Sequence, residues 1–545
     1  MSAPAESRGR FEARLASLSA PGLVASIAAA LFVLSAWPLL LVTVPPLQDL
    51  PNHLAAAHIV ANPGRFPAFA FNGLFKSNSL LPLWLYLTAG EGGPRLYGAA
   101  RAFTAIVLGL NAVALPVFVL RFAGRRALLV ATLFCWPLVH GFFLSMGMLN
   151  FTAAFALSLI LLVLVDRQRE RPTVGRAAGV AVVAAAVWYA HAFPLAVVAG
   201  LVGLHVITRT RWRQRVTAAV VLFAPLAPAA VLAAVAAQHH LVKVEGATSW
   251  AWSFSYLNPL ELVAHLWTDV SGAFTRLGAT TLVPALLLPV FVWRRHRASR
   301  TTQVDAGARV ISFLTWPALA LLAAIYVALP TMLSNWGYFH CRLVPFLWAG
   351  LLVRVPARVP RPAAVGLVLS ALAFSAATGV DYLRLDRDRT AFTAAMPEVP
   401  RGATLLPLMF QQRKTSSYTA SLSHAWGFYT VERDTSAPLV FAVERSYPIT
   451  YREFPPRALI PPSLDRFAEL YGTPAAACKR LRPAALDDAV CHAVWRDLWA
   501  AFWAEAAPRF THIVTWAMPP ESRAAIPPVY HRVFSQGDLE LLARE

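Results

Sequence analysis

The chain has 545 residues, of which 57% are hydrophobic and 14% charged, against about 25% charged in a soluble globular domain. So much apolar surface cannot be hidden in one soluble core, because single cores stop growing at roughly 250–300 residues. The net charge of +20 does not point to nucleic acid, since the basic residues sit in short clusters between apolar runs rather than among aromatics on a polar face.

The first cluster, Arg8, Arg10 and Arg14, precedes an apolar run over 23–44. That run is too long for the apolar core of a secretory signal, and no A-x-A-like site precedes Pro45, so it reads as a retained first span. Further basic clusters follow at 121–126, 167–176, 209–215, 294–300 and 354–361. If all of them face the cytoplasm, each interval holds an even number of crossings. The expected spans are 23–44, 98–120, 127–144, 151–165, 177–191, 194–208, 216–236, 279–293, 309–329, 341–354 and 362–380. The expectation is a polytopic α-helical membrane protein of about 11 transmembrane helices. A cytoplasmic segment 1–22 leads into a membrane domain 23–380 with long outer loops 45–97 and 237–278. Arginine in place of lysine, with abundant Ala and Pro, resembles the usage of a GC-rich bacterium, which places the chain in a bacterial inner membrane.

From 381 to 545 charges and prolines rise and apolar runs shorten. ATLLPLMF, PLVFAV and HIVTWAM read as buried strands, 484–506 as a helix, and YHRVFSQGDLELLAR as a hairpin turning at Gln536–Gly537–Asp538. A C-terminal periplasmic α/β domain is expected. Cys478 and Cys491 both fall in it, and an oxidising compartment permits a bridge between them.

Chemistry can sit where polar groups gather at the outer ends of spans. In PPLQDLPNHLAAAHIV, Asp49 and His53 are four residues apart and share one face of a helix expected to lie in the membrane interface. A partly buried carboxylate there suits general-base work. It equally suits an N-cap ahead of Pro51. Lys76, in GLFKSNSLLPLW, could bind a phosphate as a point charge or face water, and 80–90 reads as a short helix. Asn150 and His191 are either satisfied polar groups of the bundle or ligands of a site.

In the second long loop, His239, His240 and Lys243 could meet a phosphate or solvent. Trp250, Trp252 and Tyr256 read as interface anchors, or as a platform for a sugar or lipid. Glu261, His265 and Asp269 share a helix face, either solvated or able to hold a metal. Finally SNWGYFHCRLVPF sets His340 and Arg342 at the start of a span. Arg342 is on the outer side, against the positive-inside bias. It either makes a salt bridge or holds an anionic group such as a lipid phosphate. There is no P-loop, no dinucleotide fingerprint and no nucleophile elbow.

The layout, with the segments QDLPNH and LFKSNSLLPLW and the C-terminal region, resembles the GT-C superfamily of integral membrane glycosyltransferases, in particular the protein mannosyltransferase and aminoarabinose transferase branch. The resemblance implies transfer of a sugar from a polyprenyl-phosphate donor to a glycan, lipid or protein acceptor at the periplasmic face, with membrane lipid and no nucleic acid as partners. It implies Asp49 as the base. Leu50 stands where that family often has a second acidic residue, so a divalent metal is an open cofactor. Lys76 is similar to a lysine that meets the donor phosphate, though the family's Lys-Pro pair is absent. SMGMLN carries no acidic residue after the third span, where relatives have one. Arg342 matches the family's phosphate-facing cations by position. His53, His340 and the 237–278 loop would line the cavity. The rival readings are a transporter or flippase for a lipid-linked saccharide, a non-catalytic envelope assembly factor, and a polysaccharide polymerase or ligase of related fold.

Overall fold

The structure is a computed structural model that describes residues 19–239, 254–258, 260–262, 278–301, 312–333, 336–410, 422–443, 447–481 and 488–545. It is built mainly of apolar helices. Among the described residues six are long and apolar enough to cross a membrane: Ala20–Leu41, Arg95–Ala123, Leu149–Glu170, Ala192–Arg209, Trp212–Ala237 and Arg361–Glu398. Val174–Ala190, Trp316–Ala328 and His340–Leu352 are shorter apolar helices, and Leu282–Thr301 is a further helix with Pro289 inside it.

Two expectations change. The third expected span is not one helix but two pieces, Arg125–Thr132 and Trp136–Ser145, bent by 70°. Pro137 in the first turn after the break has no N–H to carry the ladder across it. The last apolar helix does not stop at 380 but runs from Arg361 to Phe392. Nothing in DYLRLDRDRTAF breaks a helix, and its Asp–Arg pairs at i,i+3 support one: Arg384 reaches Asp381 at 3.3 Å and Arg389 reaches Asp386 at 3.0 Å. This helix packs against the first, where Trp37 donates to Ser375 Oγ at 2.7 Å. Gly379 lies beneath the Trp37 ring, where any Cβ would collide.

The C-terminal region carries a four-stranded sheet. Its strands, in spatial order, are Leu405–Met409, His512–Trp516, Leu539–Arg544 and Tyr530–Gln536. The first pair is parallel and the other two are antiparallel. The expected hairpin forms, with Gly537 at φ +58° in its turn. Helix Asp488–Ala506 covers one face of the sheet through Trp495, Trp499, Phe502 and Trp503, all buried with Leu406, Leu408 and Ile513. Cys478 and Cys491 are joined by a disulfide. PLVFAV is not a strand: Val440–Ala442 forms a single 3-10 turn. Its side chains pack on the membrane domain rather than in the sheet.

Helix Leu50–Ala61 is the junction of the two parts. It was expected at the membrane interface, yet every residue from Leu50 to Ile59 is buried. A helix buried all round, with Asn52, His53 and His58 among its buried residues, needs cover on every side. The cover comes from helix Gly427–Arg433, whose Gly427 meets the Pro51 carbonyl so closely that a Cβ has no room. Beside it, strand Phe69–Phe71 pairs antiparallel with Ile449–Tyr451. The loops Phe254–Ser255, Met332–Leu333 and Trp336–Gly337 pair with one another in a second small sheet.

An ionic cluster latches the junction. Asp434, itself at φ +57° after helix Gly427–Arg433, receives His58 Nε2 at 2.9 Å, Arg65 at 3.2 Å and Arg401 at 2.8 Å. Gly93 N–H donates to His58 Nδ1 at 3.0 Å, so the ring proton lies on Nε2 and is donated to Asp434. These donors hold the Asp434 carboxyl below the usual carboxylate range, against the effect of burial.

Replacing Asp434 with alanine strands the buried His58 donor and removes the shared partner of two arginines. We expect a loss of roughly 2–4 kcal/mol, read as a lower unfolding temperature and faster proteolytic release of the C-terminal region. Arg65→Gln, at an exposed guanidinium, should cost well under half of that.

Candidate functional site

Beneath the junction lies a small polar cavity of about 60 Å³. Asp49, His53, Asn78, Asn150, His191, Arg342 and Tyr447 line it, with Met148, Leu149 and Phe151. Five of the residues singled out in the sequence for chemistry, Asp49, His53, Asn150, His191 and Arg342, therefore share one space.

Asp49 occupies the N-cap position of helix Leu50–Ala61, but its side chain makes no cap hydrogen bond. The capping alternative is thus not the one adopted. Its backbone is held instead by the loop after the broken third helix. Asp49 N–H donates to Met146 O at 3.0 Å, and Gln48 N–H donates to Ser145 O at 3.2 Å. Gly147, at φ +83°, lets this loop close in, because a Cβ there would stand 2.9 Å from Asp49 N. The SMGM segment therefore supplies no acid to the site but sets the place of the one that is there. The carboxylate faces His424 Nε2, at 3.8 Å. Burial pushes the Asp49 carboxyl up to about 7 and His424 down to about 4. At neutral pH the pair is a carboxylate near its midpoint beside a neutral imidazole. That is the acidity a general base needs to accept a proton and give it up again.

His53 is four residues further along the same helix. Burial, with His424 adding to it, pushes it down to about 3, so it stays neutral. Its ring sits 4.5 Å from Phe441 and 5.9 Å from Tyr447, which stack on each other at 3.7 Å.

The cationic wall is Arg342. It enters from the 3-10 turn His340–Leu343, with Nη1 3.1 Å from His191 Nε2 and Nη2 donating to Gly337 O at 3.3 Å. Its guanidinium lies over Phe339 and Phe151, at 5.1 and 5.7 Å. His191 breaks the helical hairpin, accepting from Phe193 N–H at 3.2 Å as an N-cap. Asn150 ties the floor together, accepting from Leu81 N–H at 2.7 Å and donating to Asn78 at 2.9 Å.

Other expected residues lie elsewhere. Lys76 is buried outside the lining and donates to Asn72 O at 2.9 Å and Tyr447 O at 2.6 Å, with burial pushing its amine down to about 7. It braces the wall that Tyr447 forms. His340 turns away from the cavity into the bundle, with its ring 5.1 Å from Tyr326. Glu261 forms a reciprocal cap with Asn258, at 2.8 and 2.9 Å. The side chain of His239, and His240, Lys243, Trp250, Trp252, His265 and Asp269, lie outside the described residues. Among the described residues no group of three or more His, Cys, Asp or Glu side chains is placed to hold a metal ion.

Three participants were not singled out in the sequence: His424, Phe441 and Tyr447. His424 carried one faint signal, its place in HAWG, where φ is +69°.

An apolar groove adjoins the cavity at Phe151. It runs along Pro137, Leu138, Phe142 and Phe155 to Val344 and Trp348. The broken third helix opens it, since an unbroken rod would leave Gly141 and Phe142 in the ladder.

Burial also pushes the Asp465 carboxyl up to about 7, so infrared difference titration should show two carboxyls losing protons near pH 7, and Asp49→Asn should remove one of the two signals. Both signals unchanged in that variant would place the perturbed carboxyl elsewhere.

No protein-family profile matches the sequence, and no curated protein matches it. Among solved structures, the chain is similar to ArnT from Cupriavidus metallidurans, crystallised bound to undecaprenyl phosphate, with a TM-score of 0.49 and 13% identity over 96% of this chain and 97% of that one.

Proposed function

We propose that this protein is an integral membrane glycosyltransferase, moving a sugar from a polyprenyl-phosphate carrier to an acceptor hydroxyl at the periplasmic face of the inner membrane. The observation that carries the reading is the pairing, in one cavity, of a carboxylate poised near neutrality with a guanidinium that adjoins an apolar groove. A base and an anion-holding cation are the two charges that glycosyl transfer from a phosphate requires. The groove supplies a place for an isoprenoid chain attached to that phosphate.

In the proposed reaction the acceptor oxygen attacks the anomeric carbon as its proton passes to Asp49. The bond from that carbon to the phosphate oxygen breaks, and the electron pair leaves with the polyprenyl phosphate. Attack from the side opposite the leaving group inverts the centre. Arg342 neutralises charge on the departing phosphate, with its two faces desolvated by Phe151 and Phe339. His191 fixes the guanidinium. His53 and His424, both neutral, surround the carboxylate without a competing positive charge, so its basicity is kept. The cavity has room for the reacting groups only, so the remainder of the sugar and the acceptor lie across its mouth against Tyr447. No step uses a metal.

The test is transfer from a short polyprenyl-phosphate sugar, measured on the full chain in lipid. Asp49→Asn should lower kcat by roughly 10²-fold or more. Full activity in a stably inserted Asn variant would remove Asp49 from the chemistry.

Because the base must be ionised, kcat should rise with pH through about 7, and this acid limb should vanish in Asp49→Asn. Arg342→Lys keeps the charge but loses the fork, and should cost roughly tenfold or more in kcat/KM.

A further inference from the structure

The opposite end of the bundle holds a second and larger cavity, of about 770 Å³, between the ends of helices Leu149–Glu170, Ala192–Arg209 and Arg215–Phe223. Three guanidiniums line it, those of Arg169, Arg209 and Arg211, and no carboxylate does. The acidic groups nearest in sequence are Glu170 and Asp166, and both are already committed, Glu170 by its ion pair with Arg121. Asp166 is buried and bound by Arg121 at 2.7 Å, by Arg169 at 3.1 Å and by Ser312 Oγ at 2.7 Å. Arg209 and Arg211 have no hydrogen-bond or ion-pair partner among the described residues. Basic clusters at the ends of spans are ordinarily read as topology signals. A topology signal, however, needs no cavity.

The wall is graded along the helix that follows the arginines. Past Arg209 and Arg211 the lining continues with Gln214 and Thr217, and Val221 and Leu222 follow a turn further on. Charge, then hydrogen-bonding groups, then hydrocarbon is the order of groups in an anionic phospholipid read from its phosphate to its acyl chains. Trp212, largely exposed, carries Arg215 over its ring at 4.8 Å, as an aromatic anchor at a membrane surface does.

We propose that this cavity binds an anionic phospholipid of the inner leaflet, its phosphate held by Arg209 and Arg211 and its proximal acyl carbons laid on Val221 and Leu222. The site is separate from the Asp49 cavity and requires no particular reaction there. It rests only on the chain being in a membrane.

The experiment uses the full chain in nanodiscs, with phosphatidylglycerol as the probe, phosphatidylcholine as the neutral competitor and inorganic phosphate as the free-anion competitor. Bound lipid is read by native mass spectrometry. Wild type should retain phosphatidylglycerol against excess phosphatidylcholine, and millimolar inorganic phosphate should not displace it. The double variant Arg209→Gln, Arg211→Gln should weaken retention at least tenfold. Thr217→Trp keeps every charge but sets an indole between the arginines and the Val221–Leu222 surface, where the proximal acyl carbons would lie, and should weaken retention as much. Arg297→Gln, on another basic cluster, should change nothing. Equal retention of both lipids, displacement by inorganic phosphate, or full retention in Thr217→Trp would each overturn the proposal. An unfolding temperature equal to wild type shows which variants are properly folded. If the double variant unfolds early, the Thr217→Trp arm decides alone.

Discussion

A twelve-residue helix, Leu50–Ala61, is buried along its first ten residues, polar side chains included, and most of what is particular to this protein follows from how it is covered. Lipid could cover one side only. The remaining sides are met by helix Gly427–Arg433, by the turn at Val440–Ala442 and by the strand pairing of 69–71 with 449–451. Burial of the helix is what desolvates Asp49 at its start and His53 on its next turn. The unusual acidity of both groups is therefore mainly a by-product of packing, with His424 adding to it at His53. The latch on Asp434 is the polar counterpart: it satisfies the one histidine of the helix, His58, that could not be left neutral and unpartnered in the same interface.

The division of labour between the two parts differs from a membrane domain with a soluble appendage. The bundle contributes Arg342, His191, Asn150 and the apolar groove. The loop after the first span contributes Asp49 and His53, and the C-terminal region contributes His424 and Tyr447. Each wall is set by a different kind of force: ladder-breaking at His191 and Pro137, glycine-permitted close approach at Gly147, and aromatic stacking at Tyr447. Lys76 shows how the parts are coupled, since its ammonium is spent on carbonyls of both the first loop and the C-terminal region.

Much of this was legible in the sequence where local chemistry decides the outcome. The Gln536–Gly537–Asp538 turn, the strands at 405–409 and 512–516 and the helix ending at Ala506 are dictated by turn residues and short-range pattern. Parity, which sets the ends of spans on one side, gathers Asp49, His191, His340 and Arg342; the cavity holds three of these with His53 beside them, while His340 turns away. What was not legible depends on contacts across hundreds of residues. No local signal couples His424 to Asp49. The helix 50–61 has the composition of an interfacial helix, and only the partner that covers it makes it buried. PLVFAV is apolar like a strand, but its apolar groups are consumed by the membrane domain before a sheet can use them. His340 and Arg342 are two residues apart and face different surroundings, which a 3-10 turn decides and composition does not.

The long reach of the Asp49 environment also orders events during synthesis. His58 and Asp434 are 376 positions apart. Until the ribosome has passed residue 451, the helix that begins at Leu50 lacks its cover, and Asp49 remains a solvated carboxylate of ordinary acidity. A nascent or truncated chain can carry the arginine, the groove and the carboxylate and still hold no tuned base. The surroundings of Asp49 are therefore complete only once the last fifth of the polypeptide is in place.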